Sequence, residues 1–116
     1  MNKLFLSGRI CSDPTLISTE GDAHHLAFSL EVCHRTAKGI LKSEMYIVNA
    51  WNSCALWGMQ HLRKGTKIAL RGYLTQRMHD AGACRFLSTE ITAEEFLLMQ
   101  QTPGDHANGS FADDTV

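Results

Sequence analysis

Apolar and polar residues alternate along most of the first hundred positions, and the alternation breaks at a few turn signals. Lys3-Leu4-Phe5-Leu6-Ser7-Gly8-Arg9-Ile10 is rich in apolar side chains and stops at the turn dipeptide Asp13-Pro14. The polar stretch Ser18-Thr19-Glu20-Gly21-Asp22 leads to a second run. In that run Phe28, Leu30 and Val32 take one side and Ser29, Glu31 and Cys33 the other, the period of a half-buried strand. Ala37-Lys38-Gly39 reads as a hairpin tip, and Met45 to Trp51 supplies a third strand. The period then changes. Ser53 is placed to cap a helix. Ala55, Leu56, Met59 and Leu62 fall on one helical face, and Arg63-Lys64-Gly65 ends it with cations and a glycine. Strand alternation returns with Ile68, Leu70 and Leu74 opposite Lys67, Arg71, Tyr73, Thr75 and Arg77. Asp80-Ala81-Gly82 turns the chain into a last long strand, Phe86 to Leu98, with room for an interruption.

Five strands with one short α-helix between the third and fourth predict an all-β domain, a five-stranded OB-fold barrel over residues 1–99. The third strand, Met45-Tyr46-Ile47-Val48-Asn49-Ala50-Trp51, is apolar on both sides. One side fills the barrel, and the other must meet DNA or another subunit, since leaving it wet would expose an apolar patch. From Gln100 on, Thr102-Pro103-Gly104-Asp105 and small polar residues predict a flexible acidic tail, 100–116.

Charge sharpens this picture. The net charge is −1, but residues 1–89 hold all eleven Lys and Arg against six acids, +5, while residues 90–116 hold six acids and no Lys or Arg, −6. A basic body with an acidic end suits a protein that binds a polyanion and keeps its tail off it. A chain of 116 residues has a small core, so association with copies of itself would add stability. No signal peptide and no membrane span is visible, which predicts a cytoplasmic protein with no membrane partner. Cys11, Cys33, Cys54 and Cys84 lack the C-x-x-C spacing of a zinc or redox centre and read as reduced, half-buried small hydrophobes. His24 and His25 are adjacent in a strand and point apart, so neither a metal nor any other cofactor is expected. No G-x-S-x-G, glycine-rich phosphate loop or usefully spaced carboxylate pair suggests an enzyme, and Glu94 and Glu95 are expected to point apart.

Several segments resemble the bacterial single-stranded DNA-binding protein family. Asn2 to Ile10 followed by Asp13-Pro14 is similar to its opening strand, and Ala27-Phe28-Ser29-Leu30 to its second. Ser43-Glu44, the strand ending at Trp51 and Leu62-Arg63-Lys64-Gly65 continue the match, and Leu70-Arg71-Gly72-Tyr73-Leu74 and Ser88-Thr89-Glu90-Ile91 complete it. The likeness covers roughly residues 2–98, and it is the order and spacing of these segments that make it specific. It implies that unpaired bases stack on aromatic side chains while Lys and Arg follow the phosphates. Trp51 falls at the family's aromatic position near the end of the third strand, and Met45, Ile47 and Asn49 share its face by alternation. Other positions where the family carries aromatics hold Thr36, Met45 and, depending on alignment, Met78 or His79. Arg35 and Lys42 flank a short hairpin, Arg77 precedes the last one, and Lys3 and Lys64 are further basic positions for contact with single-stranded DNA. Fewer aromatics predict binding that leans on charge.

The resemblance also implies a homotetramer, with a dimer next, and a tail tip that recruits replication or repair proteins. Here the tip, Phe111-Ala112-Asp113-Asp114-Thr115-Val116, lacks the family's terminal aromatic, which fits an accessory copy on a plasmid, phage or mobile element. Two other readings are a dimeric OB protein of the primosomal replication protein N type, and an OB interaction module that has lost DNA binding.

Overall fold

A computed structural model describes residues 1–18, 21 and 23–99. The expected tail over 100–116, with its acidic tip, lies outside the described residues. The elements are β1 (Leu4–Ile10), β2 (Thr15–Ser18), β3 (His24–Arg35), β4 (Leu41–Trp51), α1 (Asn52–His61), β5 (Lys67–Ala81) and β6 (Cys84–Leu98). Five strands run in the order β1-β5-β6-β4-β3, and β3 returns to β1 through Arg9 opposite Glu31 and Ile10 opposite Leu30. The barrel is therefore closed, with one helix between its third and fourth strands. Among the described residues, the short β2 is the one additional strand. It pairs antiparallel with the start of β3, Thr15 opposite Ala27 through Ser18 opposite His24.

The alternation expected from sequence sorts the two sides of the barrel wall. Ile10, Leu26, Phe28, Leu30, Val48, Ala50, Ile68, Leu70, Ile91 and Ala93 are buried inside. Strand closure depends on Gly8. A Cβ at that position would lie 2.2 Å from the Glu31 carbonyl oxygen, so only glycine lets β1 cross onto β3. The two long hairpins continue past the barrel. The β3–β4 arm turns over Thr36–Ile40, where Gly39 takes φ +81° and its N–H donates to the Thr36 carbonyl at 2.9 Å.

The helix departs from expectation in two ways. Its N-cap is Trp51 and no side chain caps it, so Ser53 has no such role. Its inward face is Ala55, Gly58 and then Leu62, while Leu56 and Met59 are exposed. The cause is close approach: a Cβ on Gly58 would sit 2.6 Å from a Leu26 methyl, so small residues face the barrel. The last turn is closed by Arg63, whose Nη1 donates to the Met59 carbonyl at 3.1 Å and the Leu62 carbonyl at 2.8 Å.

β6 is continuous but shifts register against β5 between Arg71 and Gly72. That irregularity overturns the expectation for Glu94 and Glu95. Both reach Arg71, Glu94 to Nη1 at 3.2 Å and Glu95 to Nε at 3.3 Å. The cysteines are free, and Cys33 and Cys84 are exposed rather than half-buried. Among the described residues, no helix is long and apolar enough to cross a membrane, and no cluster of His, Cys, Asp or Glu could hold a metal ion.

Candidate nucleic-acid interface

Side chains that point away from the core on β3, β4, β6 and the distal half of β5 form one continuous outer surface. Register fixes who meets whom. His25 lies opposite Trp51, Ala27 opposite Asn49, Ser29 opposite Ile47 and Glu31 opposite Met45. On the neighbouring hairpin Thr75 lies opposite Glu90, Arg77 opposite Ser88 and His79 opposite Phe86.

Trp51 stands at the end of β4 with 40% of its surface exposed. Its indole lies flat on the His25 imidazole, ring centres 4.0 Å apart and planes 5° apart. His25 is only 2% exposed, because the indole covers it. A chain of buried polar groups runs on from there. His25 Nε2 donates to Asn49 Oδ1 at 2.6 Å, and Asn49 Nδ2 donates to Glu90 Oε1 at 2.7 Å. The Asn49 amide is oriented by its partners: a carboxylate only accepts, so the NH2 group must face Glu90. Its oxygen then also receives Arg77 Nη1 at 3.2 Å. Glu90 Oε2 accepts from the Ser88 hydroxyl at 2.7 Å and from His79 Nε2 at 3.3 Å. His79 in turn stacks on Phe86, centres 4.9 Å apart. Asn49 and Glu90 are 1% and 4% exposed. Burial pushes the Glu90 carboxyl up, but hydrogen bonds from Ser88, Asn49 and His79 and the Arg77 charge outweigh it and hold the group below its ordinary range.

The surface thus offers two flat ring systems, Trp51 on His25 and His79 on Phe86, with a guanidinium between them and exposed Met45 and Ile47 continuing along β4. Rings, apolar side chains and cations together suit unpaired bases and their phosphates.

The chain matches the model of the single-strand binding protein family over residues 1–99. It belongs to that family. Among curated relatives, single-stranded DNA-binding protein 3 of Clostridium acetobutylicum is 33% identical over 118 residues, covering 98% of this chain and 80% of that protein. Single-stranded DNA-binding protein 1 of Streptococcus pyogenes is 28% identical, covering 85% of this chain and 77% of the relative. Two solved structures share the fold. The Plasmodium falciparum SSB complex with ssDNA superposes with a TM-score of 0.75 at 19% identity, over 86% of this chain and 96% of that one. A deletion mutant of the single-stranded DNA binding protein from Thermus aquaticus gives 0.71 at 20% identity over 89% of this chain. This chain spans about half, 52%, of that deletion-mutant chain.

The residues expected to serve this member of the single-strand binding protein family are distributed unevenly. Trp51, Met45, Arg77 and His79 share the outer face just described, whereas Met78, opposite Leu87, lies on the other face. Arg35 extends the same face along the β3–β4 arm, where its Nη1 donates to the Gly39 carbonyl at 3.0 Å. Lys42 does not join them. It lies opposite His34, on the other face of the arm. Lys64 sits in the turn after α1, where the N–H of neighbouring Gly65 donates to the Ile10 carbonyl, and Lys3 precedes β1 beside the Asn2–Leu74 hydrogen bonds. Neither lies among the strands that carry Trp51. Sequence reasoning missed His25, Glu90, Ser88 and Phe86. The available signal was polarity on a strand face next to Trp51, with Ser88 and Glu90 spaced two apart.

Proposed function

We propose that this chain binds single-stranded DNA without sequence preference along the outer face of β3, β4, β6 and distal β5, in replication, recombination or repair. Membership of the single-strand binding protein family makes this a binding activity rather than catalysis. The observation that carries the siting is Trp51: a solvent-facing indole with one side covered by His25 and the other open for a base. The His79–Phe86 pair is the second platform, and Arg77 and Arg35 take phosphates. Each stacked base contributes about 1–3 kcal/mol. Titration with poly-dT should quench tryptophan emission. Trp51→Ala should lose about 1–3 kcal/mol of affinity; Trp57, which packs against Phe96, serves as the internal control for emission. Unchanged affinity in Trp51→Ala removes that residue from the site, and no binding at low salt favours an interaction module instead.

The working assembly we propose is a homotetramer. Exposed Phe5 and Leu97 on β1 and β6 flank a cleft of about 470 Å³, an apolar surface on the side of the barrel away from Trp51. Native mass spectrometry is expected to give four times the 12.9 kDa protomer mass; a two-protomer species replaces the tetramer with a dimer.

A further inference from the structure

Trp51 is half of a stack, and the other half is unusual for a barrel wall: an imidazole rather than an aliphatic residue, covered almost completely and tied to a neighbouring strand. We propose that His25 is a positioning residue for single-stranded DNA, holding the Trp51 indole in the one orientation that presents its free face to a base. This rests on the siting proposed above. A tryptophan on a strand end with 40% exposure has several rotamers open to it, and a small aliphatic partner would not choose among them. A flat ring 4.0 Å below, tilted by 5°, admits one. The brace is itself held: the ring is 2% exposed, a confinement that any flat ring of its size shares, and it also makes a side-chain hydrogen bond. Its Nε2–H is bonded to Asn49 Oδ1, and Asn49 is clamped by Glu90 and Arg77 from two further strands. Rotating the imidazole about χ2 would leave its buried N–H without an acceptor, so the network adds to the packing that already holds the ring. The charged groups around this chain are Arg77 and Glu90, which satisfy each other's side of Asn49 at an Arg–Glu separation of 3.8 Å. A base that lands on Trp51 therefore completes a three-layer stack of base, indole and imidazole. Ordering that would otherwise be charged against binding is done during folding, which is the general gain from preorganisation.

The test separates bracing from mere packing with three substitutions in a Trp57→Phe background, where all tryptophan signal comes from Trp51. His25→Leu fills the space without a flat ring, and His25→Phe keeps the ring without the hydrogen bond. Trp51→Ala reports whether the site is used at all. Steady-state and time-resolved anisotropy of Trp51 is read without DNA, and affinity for oligo-dT is read at fixed salt, each at a temperature where thermal unfolding shows the variant folded. His25→Leu should lower the anisotropy of Trp51 and weaken oligo-dT binding about three- to tenfold, the cost of immobilising one ring-bearing side chain. His25→Phe should restore both to within about twofold. If Trp51→Ala weakens binding but His25→Leu changes neither readout, the positioning role is wrong while the site stands. If His25→Leu weakens binding and His25→Phe fails to rescue it, the ring is not the brace and the role is likewise refuted. If Trp51→Ala itself leaves affinity unchanged, the siting falls and the positioning role falls with it.

Discussion

At the scale of single residues, the outer face is organised by a carboxylate that is almost wholly buried. Glu90 gathers Asn49, Ser88, His79 and Arg77, and so links the two ring platforms through one side chain. Replacing it with Gln keeps the shape but removes the charge and sets an NH2 group against the Asn49 amide or the His79 ring. The expected cost is about 1–3 kcal/mol of folding stability, the penalty for leaving buried donors without an acceptor. The pH dependence has a defined sign. The folded carboxyl titrates below its ordinary value of 4.5, so its contribution is present above that value and drains away as pH falls toward the folded one. Denaturant midpoints measured between pH 6 and 3 should therefore fall more steeply in the native protein than in Glu90→Gln; parallel curves would contradict the network. Trp51 itself was legible in the sequence, because a lone tryptophan ends an apolar strand at a place where a family resemblance can be checked. Its supports were not. His25 to Asn49 spans 24 positions and Asn49 to Glu90 spans 41, and no local pattern links polar residues that meet only when a barrel closes.

At the scale of elements, strand periodicity located the five barrel strands because half-buried strands must alternate, and register follows once one face is buried. Two features escaped it. β2 is four residues long, too short for alternation to mark it, and it pairs with β3. The helix was found but turned wrongly, since the hydrophobic count favours Leu56 and Met59 while the barrel admits only Ala55 and Gly58. Packing distance decided, not hydrophobicity. Two glycines make that argument testable. In Gly8→Ala the new Cβ meets a carbonyl oxygen of β3 at 2.2 Å, and backbone cannot yield without opening the barrel. In Gly58→Ala it meets the end of the Leu26 side chain at 2.6 Å, which can change rotamer, while alanine returns about 1 kcal/mol of helix propensity. Gly58→Ala should thus cost no more than about 1–2 kcal/mol and Gly8→Ala more than about 3 kcal/mol. Thermal unfolding of the two variants in parallel checks the ranking, and equal losses would show that strand closure tolerates a side chain at position 8.

At the scale of the molecule, the division of charge gives the binding face its character. The body carries +5 over residues 1–89 and the remainder −6, so a net charge of −1 conceals a basic body. Of the four expected stacking positions one is a tryptophan, one a threonine, one a methionine and one Met78 or His79, so each ionic contact is expected to carry a larger share of affinity than on an aromatic-rich face. For single strands, log K falls with log salt at about 0.7 per neutralised phosphate. Arg35 is the cleanest probe of that slope. It lies on the Trp51 face at the base of the β3–β4 turn, and its one described side-chain bond is to the Gly39 carbonyl of the same turn. Arg77, by contrast, also supports Asn49 and Glu90, so its loss would mix binding with stability. Arg35→Ala should leave the melting temperature within a degree or two, since an exposed turn contact contributes little. Its salt slope against poly-dT should be shallower by about 0.7, with the two proteins' affinities converging as salt rises. An unchanged slope would mean that the arm does not reach the phosphates, leaving Arg77 as the cation between the two ring platforms.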